Sequence, residues 1–289
     1  MSTGGSGAGA TTQEALLEVA VDAARMAGAL LLERVGHGSE REVSSKSTPT
    51  DLVSEADLAS ERAIRELLAA RCPEDGFLGE EGGNVESKSG LCWVVDPLDG
   101  TVNFLFGIPQ WCVSVAVGDE RETLAGAIYD PNRDELFTAT REEAAQMLGA
   151  AGPLDLAHES AAGPAGRLDG EQDGDAGEEL SSAMVATGLA YDAEVRGAQA
   201  KVIARLAPRV RDIRRMGSAA LDLTWTAAGR YDAYFERSVK QWDIAAGALI
   251  CERAGLRVLE LPPQENLPWG ILVARPGLAE QLLELVVDS

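Results

Sequence analysis

Leu91-Cys92-Trp93-Val94-Val95-Asp96-Pro97-Leu98-Asp99-Gly100-Thr101 is the stretch on which the reading of the whole chain turns. Five mostly apolar residues, β-rich and short enough for a buried strand, run into a turn punctuated by proline and glycine that holds two carboxylates and a hydroxyl. The pattern places Asp96 and Asp99 on the turn rather than on the strand. Their side chains then escape strict alternation between faces and can address one ion, with Pro97 fixing one torsion between them. Gly100 lets the backbone come close to a bound group, and a helical turn starting near Thr101 would offer free N–H groups to an anion.

Two other readings use the same letters. Aspartyl-phosphate phosphatases of the haloacid dehalogenase type set their two acids two residues apart, whereas Asp96 and Asp99 are three apart. A plain acidic β-turn also draws on Asp, Pro and Gly, so the turn alone does not decide.

Composition narrows the rest. At 289 residues and 45% hydrophobic content the chain can bury a sizeable core, as one large α/β unit or two domains. Its net charge of -22, from 47 acids against 25 basic residues, argues against nucleic acid or an anionic membrane surface as the main partner and is compatible with cation binding. Cys72, Cys92, Cys112 and Cys251 show no close pairing, which predicts reduced thiols in a cytoplasmic protein. Residues 1–12 read as a flexible tail without the marks of a signal peptide, and no apolar run approaches the length of a membrane span. The only two histidines, His37 and His158, lie in loop-like surroundings, which weakens every mechanism that depends on histidine.

The remainder is expected to be one catalytic unit over 13–289, with a first half at 13–149, an acidic, Gly-rich insertion at 150–179, and a second half at 180–289. Apolar residues at helical spacing predict a helix over 13–35. A second helix follows Ser54, which with Asp57 resembles a capping box, and reaches about Arg71. Segments 111–118, 123–130 and 135–140 read as an antiparallel meander. After the insertion come strands at 182–187 and 211–214, helices at 198–206 and 218–228, a strand at 231–235 with Glu236 just beyond it, a helix opening at Gln241, two strands and a last helix. Cys251 and Arg257 have the spacing of a cysteine-phosphatase loop, but the cysteine falls inside a helical pattern and lacks a preceding histidine.

Glu80 follows a short apolar approach and precedes two glycines, and Asp243 sits near the start of its helix, where the helix dipole alone would favour a carboxylate. If the fold brings Glu80, Asp96, Asp99 and Asp243 together, they form an all-oxygen shell of the kind that suits magnesium or manganese rather than zinc or copper. Glu80-Glu81, the turn from Asp96 to Thr101, and Trp242-Asp243 followed by Ala246-Gly247, in that order, resemble the inositol monophosphatase family of magnesium-dependent, lithium-sensitive phosphomonoesterases. The resemblance covers roughly residues 15–140 and 182–283.

It implies a mixed α/β (α+β) class with a layered α-β-α-β-α sugar-phosphatase fold, and a cytoplasmic homodimer. By similarity, Glu80, Asp96, the carbonyl of Leu98, Asp99 and Asp243 hold Mg2+, with Mn2+ as a possible substitute. Glu80, Asp57 and Thr101 form the catalytic set, the last two orienting the attacking water. The N–H groups of Gly100 and Thr101 hold phosphate, while Ala219 and Glu236 meet the alcohol's hydroxyls. The chain departs from the family pattern after the meander, where Arg141-Glu142-Glu143-Ala144-Ala145 leads into the insertion, and after the last metal helix, where Gly255 is followed by Leu256. The implied substrate is a small phosphate ester, first of all inositol monophosphate. Histidinol phosphate and fructose 1,6-bisphosphate are alternatives, as is a regulatory protein on the same fold with little turnover.

Overall fold

The computed structural model of the chain describes residues 12–35, 43–45, 52–156 and 179–287. Both histidines lie outside them, as do most of the expected tail and insertion. Helix α1 (Gln13–Arg34) is capped by Thr12, whose hydroxyl accepts from the N–H of Ala15, so the last residue of the expected tail is the helix cap. Strands β1 (Val43–Ser45) and β2 (Leu52–Ser54) form a two-stranded antiparallel ribbon that leads into α2 (Glu55–Arg71), and the capping box of Ser54 and Asp57 is present. Next come β3 (Gly76–Gly79), β4 (Cys92–Asp99), the short helix α3 (Thr101–Phe106), and β5 (Cys112–Gly118), β6 (Thr123–Asp130) and β7 (Glu135–Thr140). A hairpin, β8 (Gln146–Gly149) and β9 (Gly152–Asp155), ends the first half. The second half holds a 3-10 turn at Leu180–Ser182, β10 (Met184–Thr187), α4 (Ala193–Leu206), β11 (Asp212–Arg214), α5 (Ala219–Ala227), β12 (Ala233–Arg237), α6 (Gln241–Arg253), β13 (Arg257–Leu261), β14 (Gly270–Ala274) and α7 (Pro276–Val287).

Strands β3 to β9 lie side by side in sequence order in a seven-stranded sheet, antiparallel except for β3 beside β4. The second sheet has the order β11-β10-β12-β14-β13. Alternation along each strand sorts side chains between layers. Trp93 and Val95 of β4, with Val113, Val115 and Val117 of β5, pack with α1 and α2, whereas Val94, Cys112 and Ala116 face the opposite way, toward α5 and α6. In the second sheet Tyr234 faces α5 and α6, while Ala233 and Phe235 pack with α4 and α7. The result is five layers, α-β-α-β-α, with α5 and α6 between the sheets. Gly126 lets α6 approach the first sheet, because a Cβ there would fall 2.9 Å from the Cα of Ala246.

Three expectations are corrected. Asp96 and Asp99 belong to β4, with a register shift between them against β5, so the bulge in the strand rather than a turn past its end lets both acids reach one corner. Glu236 lies within β12 and, two residues from Tyr234, points by alternation toward the middle layer. The insertion does not begin at residue 150. The backbone of 146–155 pairs as β8 and β9 onto β7, which requires ladder partners more than apolar side chains, and only 157–178 falls outside the described residues. All four cysteines are free, and Cys251 is buried within α6. Among the described residues no helix is long and apolar enough to cross a membrane.

Candidate active site

The end of β4 meets the N-terminal ends of α5 and α6 and the end of β12 around a cleft of about 230 Å³. Glu80, Asp96, Leu98, Asp99, Gly100, Thr101, Ala219, Glu236 and Asp243 all line it, so nine of the expected site residues, from five separate stretches of the chain, lie around one cleft. Asp57 stands behind this wall. It is fully buried and tied to it through Thr101, whose Oγ1 lies 2.9 Å from Asp57 Oδ1 and 3.1 Å from the carbonyl of Leu98. The other oxygen, Oδ2, accepts from the backbone N–H and the hydroxyl of Ser54, so the capping and site roles of Asp57 are one arrangement. Burial raises the Asp57 carboxyl above its ordinary value, against the hydrogen bonds from Ser54 and Thr101.

The bulge between Asp96 and Asp99 is held from several sides. Ser60 of α2 donates to the carbonyl of Pro97 at 2.8 Å, and the N–H of Leu98 donates to Asp96 Oδ1 at 3.0 Å. Gly100 has φ 96°, and a Cβ there would fall 2.9 Å from the carbonyl oxygen of Gln110, so both backbone and space call for glycine. No side chain caps the start of α3.

Asp99 Oδ2 accepts from Ser218 Oγ at 2.6 Å and from the N–H of Ala220 at 2.7 Å, joining β4 to the start of α5. Asp243 Oδ2 accepts from the N–H of Lys240 at the start of α6. Each of the three aspartates therefore has one oxygen fixed by protein donors. Burial first, then the neighbouring acids, push Asp96 and Asp243 well above the ordinary carboxylate range. Burial also pushes Asp99 up to about 6, with Ser218 and Ala220 pulling back and Glu80 adding. Among the described residues no three His, Cys, Asp or Glu side chains stand close enough to form a preassembled metal cluster. The donor set nonetheless fits a hard divalent cation: it is all oxygen, and Asp96, only 1% exposed, is destabilised as an anion by Glu80, Asp99 and Asp243, a repulsion that a cation would reverse.

Opposite the acids, Glu236 Oε2 accepts from the hydroxyl of Tyr234 at 2.9 Å. Its carboxylate lies against Gly188, where a Cβ would fall 1.9 Å away. Burial pushes Glu236 up to about 7, while Tyr234 and Arg215 hold it down. Arg237, which sequence proximity offers as a partner, instead donates to the carbonyls of Pro262 and Pro268.

Asp222 on α5 is a group near the site that sequence reasoning missed. The signal was an acid inside the apolar helical run from Ala219 to Leu223. It is 1% exposed and neither carboxylate oxygen has a hydrogen-bond partner. Burial carries it well above the ordinary value, Glu236 and Asp99 add to the rise, and Arg215 opposes it. A folded-state value above the unfolded one means that its share of stability is present at low pH and lost as pH climbs from about 4 toward the raised value. Asp222→Asn removes the ionisable group and is therefore expected to stabilise the protein at pH 7, by about 1.4 kcal/mol for each unit by which the folded-state value exceeds the unfolded one up to that pH, and by little at pH 4. Thermal melts of both proteins at the two pH values check this, and equal melting temperatures at pH 7 would show that the charge is compensated.

Comparison with known proteins agrees with this geometry. The sequence profile of the inositol monophosphatase family matches residues 12–289. "Inositol-1-monophosphatase SuhB" of Mycobacterium tuberculosis (strain ATCC 25618 / H37Rv) is 40% identical over 258 residues, 87% of this chain and 83% of that protein. "Nus factor SuhB" of Pasteurella multocida (strain Pm70) is 37% identical over 275 residues, 94% of this chain and 95% of that protein. The crystal structure of "extragenic suppressor protein suhB" from Bartonella henselae superposes with a TM-score of 0.79 at 32% identity, covering 95% of this chain and 99% of that one. Five layers, a cleft of convergent acids and a profile match from Thr12 to the last residue have one common explanation: the chain belongs to the inositol monophosphatase family and is a phosphatase.

Proposed function

We propose that the protein hydrolyses inositol monophosphate, or a closely similar polyol phosphate, to the free polyol and inorganic phosphate, in a reaction that depends on Mg2+, with Mn2+ as a substitute. The observation that carries this reading is that Glu236 and Ala219 line the same cleft as Glu80, Asp96, Asp99 and Asp243, so that an ester held at the acids reaches a half-buried hydrogen-bond acceptor with its alcohol. Glu80, Asp96, the carbonyl of Leu98, Asp99 and Asp243 would hold the cations. Divalent cations bound there would supply Lewis acidity toward the phosphoryl group and lower the pKa of a water at neutral pH.

The chain's own groups do the rest. Thr101 directs its single hydroxyl proton toward Asp57, the charged and nearer acceptor, which leaves the Thr101 oxygen to accept from the attacking water and orient it. The N–H groups of Gly100 and Thr101, at an uncapped helix start, hold the phosphate oxygens. Glu236 accepts from a hydroxyl of the alcohol, and Ala219 packs beside it.

A panel of phosphate monoesters assayed for phosphate release with and without Mg2+ tests the activity. Inositol 1-phosphate is expected to lead histidinol phosphate and fructose 1,6-bisphosphate, and activity that survives a chelator would defeat the metal-dependent reading. Glu236→Gln tests the substrate: the ratio of kcat/KM for inositol phosphate to that for phenyl phosphate should fall by roughly 10- to 100-fold, the range for a hydrogen bond to a charged group. An unchanged ratio would remove Glu236 from the alcohol site. A second reading, a binding protein with little turnover, draws on one observation, the name Nus factor carried by the Pasteurella multocida relative; absence of turnover on the whole panel with Mg2+ present would favour it. We also infer that the protein acts in the cytoplasm as a homodimer. The apolar surface after α3, with Phe106 75% and Ile108 48% exposed, supports a second copy as its cover, and sedimentation equilibrium showing only a monomer would refute it.

A further inference from the structure

Two exposed cations line the cleft without an assigned task, Lys240 at the start of α6 and Arg215, and of the two Arg215 is the one that brings a guanidinium fork. It follows β11, lines the catalytic cleft and is exposed, and it makes no hydrogen bond or ion pair among the described residues. The other arginines nearby are engaged. Arg214 pairs with Asp212, and Arg237 is anchored to the carbonyls of Pro262 and Pro268. The guanidinium of Arg215 folds back over Gly217, where a Cβ would fall 2.6 Å from its Nη1, and Gly217 has φ 89°, so the backbone is shaped to let the side chain lie there. It shares the lining of the cleft with Glu236 and Ala219, and its charge opposes the rise that burial gives the Glu236 carboxyl.

The acids at the two ends face different tasks. Glu80, Asp96, Asp99 and Asp243 would be matched by the cations of the proposed reaction. Glu236 stands apart from them and can only accept hydrogen bonds when ionised. A polyol hydroxyl both donates and accepts, so a wall that offers an acceptor alone satisfies half of what the alcohol brings. Arg215 offers only donors, in a planar fork, in the same cleft as that acceptor.

We propose that Arg215 is a specificity-determining residue that donates to a hydroxyl oxygen of the substrate's alcohol, so that Glu236 and Arg215 together select esters of alcohols carrying at least two further hydroxyls. This rests on the reading of the cleft as a polyol phosphatase site and adds to it the class of alcohol. An alcohol with one hydroxyl engages one member of the pair; an alcohol with none engages neither.

The test uses the full chain with Mg2+ and compares wild type, Arg215→Gln, Arg215→Lys, Glu236→Gln and the double variant Arg215→Gln/Glu236→Gln on inositol 1-phosphate, phenyl phosphate and fructose 1,6-bisphosphate. Arg215→Gln is expected to lower the ratio of kcat/KM for inositol phosphate to that for phenyl phosphate by roughly 10-fold, chiefly through KM, and Arg215→Lys should recover part of it. The double variant should lose more selectivity than Glu236→Gln alone. If Arg215→Gln has no further effect in the Glu236→Gln background, Arg215 acts only through the charge of Glu236 and the proposal fails. A loss several-fold greater on fructose 1,6-bisphosphate than on inositol phosphate would also overturn it, by making Arg215 a receptor for a second phosphate. Should wild type release phosphate from none of the three esters, the polyol-phosphatase reading falls and the proposal with it; turnover with an unchanged ratio in Arg215→Gln defeats the proposal alone.

Discussion

Asp96→Asn is expected to reduce phosphate release by at least about 10³-fold while raising the stability of the metal-free protein. The two effects have one cause. Asp96 is buried among carboxylates, and burial together with Glu80, Asp99 and Asp243 lifts its pKa well above the ordinary range. Without a cation, removing its charge relieves repulsion and desolvation, so the melting temperature in chelator should rise. With a cation bound the same charge would be a ligand, and losing it would forfeit the several kcal/mol of charge stabilisation that a metal site brings to the transition state. A ligand present at about 100 times its dissociation constant stabilises the folded state by about 2.7 kcal/mol, so wild type should gain about 5–10 °C on addition of Mg2+. Asp96→Asn should gain little. Calorimetry of both proteins in chelator and in Mg2+ checks the pair of expectations, and a full Mg2+-induced shift in the variant would exclude Asp96 from the metal site.

Thr101→Val separates chemistry from metal binding. The side chains are nearly the same shape, and the change removes the hydroxyl that lies 2.9 Å from Asp57 Oδ1. Loss of a positioned proton-transfer partner is expected to lower kcat by about 10²- to 10⁴-fold. The Mg2+-induced thermal shift should persist, because none of the four acids is touched. Thr101→Ser keeps the hydroxyl and should recover most of the rate. If Thr101→Val also abolished the thermal shift, Thr101 would belong to the metal shell, and if it kept the wild-type rate, the Asp57 and Thr101 pair would be only a structural tie between α2 and α3.

The local chemistry of the site was legible in the chain. The β-rich approach at Cys92 to Val95, the Pro97 and Gly100 punctuation, the Ser54 and Asp57 capping box and the periodic faces of α1 and α6 are signals carried by neighbours in sequence, and the structure contains each of them. The hairpin of β8 and β9 escaped notice because its strands are largely exposed and are held by backbone ladders to β7, which leave little mark on side-chain patterning. The apolar run ends at Phe235 and so puts Glu236 beyond the strand, whereas the ladder to β14 continues through Arg237.

From sequence alone came the residue types, the order of the elements and, through the three quoted motifs, the family. Tertiary structure decided which long-range neighbours those residues have. The register shift between Asp96 and Asp99, the closure of α5 onto Asp99 through Ser218 and Ala220, and the turning of Glu236 toward the middle layer all depend on partners more than 30 residues away or on another strand. The same holds for the Asp222 carboxyl, buried with no hydrogen-bond partner. Whether an acid is solvated or buried without a donor is set by the layers that close over it, and packing of that kind is a property of the assembled sheets and helices, with no local pattern in the chain to announce it.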